Sequence, residues 1–69
     1  MTQLLKMPEV RAKTGLSRSH LYALAQNGEF PKPVKLSERS SAWIESEVDG
    51  WIEDRIAERD QEVVNERRH

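Results

Sequence analysis

A chain of 69 residues with no cysteine, two histidines and a formal net charge of −1 makes one small domain, near the lower size limit for folding on a single core, with little room for a deep active-site cleft. The lack of cysteine removes disulfides and thiolate metal sites, and His20 and His69 stand too far apart in sequence to suggest a histidine metal cluster. No apolar run reaches the length of a membrane span or a secretory leader, so the expectation is a soluble cytoplasmic protein with no cofactor and no metal.

The small net charge conceals two halves of opposite sign. Met1 to Trp43 holds seven basic residues against three acidic ones, a balance of +4, whereas Ile44 to His69 holds four against nine, a balance of −5. Such asymmetry points the first part toward a polyanion and leaves the second to water or another protein. The plain alternative is surface charge that clusters without a partner.

Leu4, Leu5 and Met7 are expected to fold back onto the core as a short strand or an extended arm. Pro8 suits the first turn of a helix, where its missing N–H is no loss, and Val10 with Ala12 supplies apolar contacts before Gly15 stops a helix of about two turns. Gly15 can take the positive φ that turns the chain, Leu16 plugs the corner, and Ser17 is placed to cap a second helix beginning at Arg18. At about 100° per residue, Leu21, Leu24 and Ala25 share one side of that helix and Ser19, Tyr22, Ala23 and Gln26 the other, with Arg18 and His20 on the flanks. Asn27-Gly28 supplies the stop. A turn, a short capped helix and a stop, with an outward face of hydrogen-bonding side chains, is the way a helix-turn-helix presents a recognition helix.

Two prolines keep Phe30 to Leu36 out of a helix. Val34-Lys35-Leu36, a turn over Ser37 to Ser40, and Ser41-Ala42-Trp43 predict a small β-hairpin with Lys35, Glu38 and Arg39 in solvent, stabilised by packing on the helices. A third helix is predicted from Glu45 or Ser46, with Glu45, Glu47 and Asp49 at its positive end and Ile44, Val48, Trp51, Ile52 and Ile56 forming one apolar stripe. Gly50 within it costs about 1 kcal/mol relative to alanine, which suggests a close helix contact at that point. Trp43 and Trp51 read as core, with Leu36 and Ile52 on the same stripes. Beyond Ile56 only Val63 and Val64 interrupt a polar sequence that is either a frayed helix or disordered. The predicted fold is mainly α with a small β-hairpin, a three-helix winged helix-turn-helix over residues 1–57, followed by a charged C-terminal extension over 58–69.

The order and spacing of Leu-Leu-Lys-Met-Pro-Glu-Val, Thr-Gly-Leu-Ser-Arg-Ser-His-Leu-Tyr, Gly-Glu-Phe-Pro-Lys-Pro-Val-Lys-Leu, Arg39, Trp43 and Ser-Glu-Val-Asp-Gly-Trp-Ile resemble the AlpA-like phage and prophage regulators. These are similar in turn to excisionases and to the DNA-binding part of MerR-type winged-helix regulators. The resemblance covers roughly residues 3 to 57. It implies a winged helix-turn-helix that binds duplex DNA and either regulates transcription or assists excision of an integrated element. It also implies a recognition helix over Arg18 to Gln26 and a wing over Val34 to Trp43, with Arg39 near the tip. One departure is Ser37-Glu38, where wings of the family often carry glycine; Glu38 there repels phosphate.

The candidate DNA-binding residues are Ser17, Arg18, Ser19, Tyr22, Lys35 and Arg39. Arg18 can pair bidentately with guanine or grip a phosphate, the two serines can donate to phosphate or a base edge, and Tyr22 lies one turn further along the same groove-facing side. Lys35 and Arg39 reach the backbone or the adjacent minor groove from the wing. Each has a plainer reading: an exposed first-turn arginine, a tyrosine packed on the hairpin, and solubility charges on a strand. An enzyme lacks support, because the carboxylates lie mostly on a solvated helix face. A protein-interaction adaptor using the third helix and the acidic tail is the competing class, with Val63 and Val64 continuing the Ile52–Ile56 side as a partner or dimer seam. A module this small is expected to act on DNA as two copies, a homodimer or a cooperative pair on repeated sites.

Overall fold

The computed structural model describes residues 2–67, with side-chain environments through Gln61. The chain runs β1 (Leu4–Leu5), α1 (Met7–Thr14), α2 (Arg18–Gln26), β2 (Val34–Ser37), β3 (Ser40–Ile44) and α3 (Glu45–Arg67). This is the mainly helical winged helix-turn-helix architecture that the sequence predicts, with one strand more than the expected hairpin. The sheet is antiparallel in the order β1-β3-β2.

Local signals set the two short helices. Lys6 is extended ahead of α1 and its backbone N–H donates to Glu9 Oε1 at 3.0 Å, while Pro8 occupies the first turn. The α1 end is closed by Gly15 at φ 73°, whose N–H donates to the Arg11 carbonyl at 2.7 Å. The Thr14 hydroxyl donates to the Val10 carbonyl at 2.8 Å and accepts the Leu16 N–H at 3.2 Å, which fixes the corner. Ser17 then caps α2 by accepting the His20 N–H at 3.2 Å. At the far end Gly28 takes φ 75°, and its N–H and that of Glu29 donate to the carbonyls of Ala25 and Leu24 in a Schellman motif.

The arm folds back as predicted and does so as a strand: Leu4 pairs with Ile44 and Leu5 with Trp43, and the Glu45 N–H donates to the Gln3 carbonyl at 2.8 Å. Met7, expected within the arm, instead opens α1. Between β2 and β3, Val34 faces Ala42, Lys35 faces Ser41 and Ser37 faces Ser40, so Leu36 is the extra residue of a bulge. Leu36, expected in the core with Trp43, is instead 48% exposed, on an edge strand whose four residues are all exposed.

Val10, Leu21, Trp43 and Val48 are fully buried and form one core with Leu5, Ala25 and Phe30. Ala12, expected beside Val10, faces solvent, because α1 is too short to present more than one buried position. The α3 stripe holds at Val48, relaxes to half-buried Trp51 and Ile52, and ends at Ile56, which is 44% exposed where α3 runs past the core. The helix continues without a break through residue 57 to Arg67. The suggested seam at Val63 and Val64 lies outside the described side chains, and Arg68 and His69 lie outside the described residues. Gly50 has no close neighbour: a Cβ built there meets nothing within 4 Å, so the contact expected from its presence is absent.

Two of the basic residues counted toward a polyanion-facing half are used internally. Lys13 Nζ lies 2.8 Å from Asp49 and 3.5 Å from Glu45, tying α1 to α3. The Asp49 hydrogen bond foremost, aided by the two carboxylate charges, holds the Lys13 pKa above the ordinary lysine range. Lys6 Nζ donates to the Ser40 hydroxyl and so bridges the start of α1 to the start of β3.

Candidate nucleic-acid interface

The α2 face opposite Leu21 and Ala25 is open to solvent along its length, with Ser19, Tyr22, Ala23 and Gln26 all exposed. Ser17, Arg18 and Ser19 stand at its N-terminal end. The Ser17 oxygen accepts the cap hydrogen bond, which leaves its hydroxyl proton free to donate to an incoming acceptor.

Arg18 and Tyr22 are not independent side chains. The Arg18 guanidinium carbon sits 5.6 Å from the Tyr22 ring centroid, and that ring lies 5.9 Å from the Trp43 ring at a tilt of 54°. Trp43 is 1% exposed and Tyr22 is 38% exposed, so the stack runs from solvent into the core. The plainer reading of Tyr22 holds in that one side of its ring packs on β3, while the remainder stays exposed beside Arg18. A cation–π contact of this exposed kind contributes about 0.5–1 kcal/mol. Its structural consequence is larger, since it restricts a long side chain that otherwise samples many rotamers.

Lys35 projects from β2 and Arg39 occupies the two-residue turn with Glu38, all three exposed. The Tyr22–Trp43 contact joins the hairpin to α2, so the six predicted residues fall on two connected elements: four on or capping α2 and two on the wing. No ion pair among the described residues engages Arg18, Lys35 or Arg39. Glu38 and Arg39 stand side by side and exposed at the tip of the hairpin.

Sequence reasoning missed the part played by the linker between α2 and β2. The Trp43 indole N–H donates to the Pro31 carbonyl at 2.9 Å, and the Trp51 indole N–H donates to the Glu29 carbonyl at 2.6 Å. Phe30 between them is buried and meets Trp51 edge-on, with centroids 5.0 Å apart. Both tryptophans are thus apolar packing units that also hold the linker backbone. The available signal was the need of a packed indole N–H for an acceptor near a segment without regular backbone pairing. A concavity lined by Tyr22, Ala25, Gln26, Lys32 and Pro33 opens beside this linker.

Residues 3–56 match the family described as the prophage CP4-57 regulatory protein, AlpA. The chain is 47% identical over 57 residues to the uncharacterized protein ORF88 of Enterobacteria phage P4, an alignment covering 83% of this chain and 65% of that protein. It is 34% identical over 59 residues to the DNA-binding transcriptional activator AlpA of Escherichia coli K12, covering 77% of this chain and 84% of that protein. The chain thus spans just under two thirds of the length of ORF88.

Proposed function

Because the chain belongs to the AlpA family of prophage regulatory proteins, we propose that it binds specific sequences in duplex DNA and regulates transcription of a prophage or mobile element. The observation that carries this reading is the outward face of α2, headed by an arginine that a buried tryptophan holds in place through Tyr22. The major groove admits an α-helix, and base identity is read there by side chains of this kind.

In this account Arg18, Ser19 and Tyr22 enter the major groove, and Ser17 donates to a phosphate at the helix start. Lys35 and Arg39 contact the backbone from the wing. Residues 1–57 are the DNA-binding domain, and 58–69 form a charged extension. Two copies act together, as a homodimer or cooperatively on repeated sites, because one module this small offers limited contact area. The role is one of binding, exercised in the cytoplasm where the DNA is, and needs no cofactor. The target decides between two outcomes of the same surface: a promoter makes the protein a transcriptional regulator, an attachment site an excision factor.

The test is the double variant Arg18→Ala with Arg39→Ala. The expected result is loss of duplex binding with an unchanged far-UV circular dichroism spectrum, since both side chains are exposed. Undiminished duplex binding by the folded variant would count against this surface as the one that reads DNA.

A further inference from the structure

The concavity beside the linker extends the binding face beyond the residues assigned so far. Gln26 lies two turns along α2 from Ser19, about 10 Å by helix rise, and at the centre of the same outward stripe. Lys32 lines this concavity together with Gln26 and Tyr22. Its backbone neighbourhood is unusually fixed for a loop: the Trp43 and Trp51 indoles hold the Pro31 and Glu29 carbonyls, Phe30 is buried, and Pro33 restricts the residue before it.

We infer that Gln26 and Lys32 form a second recognition point for one nucleotide step of duplex DNA, with Gln26 reading an adenine edge and Lys32 anchoring the flanking phosphate. The inference rests on the DNA-binding reading of α2. The chemistry is specific: the glutamine amide offers the donor and acceptor that match adenine N7 and N6 in the major groove. A lysine ammonium binds phosphate as a point charge and carries no base information. The packed linker supplies what a flexible loop lacks, because the cation is presented from a backbone already ordered before DNA arrives. Lys32 also borders a concavity lined by Glu47, Glu53 and Asp54 of α3, yet no ion pair among the described residues joins it to them. It therefore stands at the boundary between the basic binding face and the acidic helix.

The experiment is selection from a randomised duplex pool with the full chain, its Gln26→Ala variant and its Lys32→Ala variant, followed by salt titrations of each on the wild-type consensus duplex. Gln26→Ala is expected to relax preference for adenine at one position by about 5- to 150-fold and to leave the rest of the consensus intact. Lys32→Ala is expected to keep the whole consensus and to flatten the logarithmic salt dependence by about one phosphate contact, so that between about 50 and 200 mM salt it loses about 3- to 4-fold less affinity than wild type. An unchanged consensus for Gln26→Ala, or an unchanged salt slope for Lys32→Ala, overturns the inference while leaving wild-type binding in place. The second of these results assigns Lys32 to the α3 carboxylates instead. Failure of the wild-type chain to select any duplex overturns both this inference and the reading on which it rests.

Discussion

Replacing Gly50 by alanine isolates a single energetic term. Gly50 is the sixth residue of α3, and a Cβ placed there meets no atom within 4 Å. The added methyl therefore neither clashes nor fills a cavity, and the change acts through backbone entropy and helix propensity. Glycine in a helix interior is about 0.8–1.0 kcal/mol less favourable than alanine. For a domain of this length that gain raises the melting temperature by roughly 4–8 °C per kcal/mol. Thermal unfolding followed by circular dichroism measures the shift, and urea unfolding should show a higher midpoint at an unchanged slope. Duplex binding is expected to match wild type, because Gly50 lies in α3 and contributes no side chain to the proposed binding face. Equal or reduced stability of Gly50→Ala would refute the reasoning, and would mean that the α3 backbone there makes a close approach the isolated chain does not show.

Leu21 is fully buried between α2 and the rest of the core, so Leu21→Ala is expected to cost about 2–5 kcal/mol. Against a total of roughly 3–10 kcal/mol at this length, that lowers the urea midpoint by at least about a fifth; a smaller loss would show that the core collapses around the gap. The Lys13 contacts make a different prediction. Its folded pKa is raised, so its stabilisation is fully present below the ordinary lysine pKa and is lost as pH rises through the folded value. The stability gap between wild type and Lys13→Gln should therefore be constant near neutrality and shrink above about pH 10.5, as followed by urea midpoints; a gap that does not change with pH means that the bridge contributes nothing.

Much of the fold is legible in the sequence where the signal is local. Pro8, Gly15, Ser17 and Gly28 each act within one turn of their own position; the last three mark the end of α1 and both ends of α2 as the structure has them, and Pro8 marks the first turn of α1, which begins one residue earlier at Met7. The exposed face of α2 follows from helical period alone. What escapes is set by distant partners. The pairing of Leu4 and Leu5 with β3 spans most of the chain, and the Leu36 bulge depends on how β2 meets β3. The exposure of Ile56 depends on where the core stops, since the stripe continues in sequence after the packing has ended. The same holds for the candidate site. Arg18 and Tyr22 are legible as helix positions, but their stacking on Trp43 and the anchoring of Lys32 through Trp43 and Trp51 require tertiary contacts. The charge halves are legible as a count, whereas the internal use of Lys6 and Lys13 is not.

The central claim is that the basic, helix-turn-helix part of this chain reads duplex DNA. Fluorescence anisotropy of the purified protein on labelled duplex from its own upstream region, and on a random duplex, at two salt concentrations, tests it most directly. The account predicts a marked preference for the upstream duplex and an affinity that falls as salt rises, through release of counterions from the contacted phosphates. Absence of binding to either duplex at low salt would contradict it.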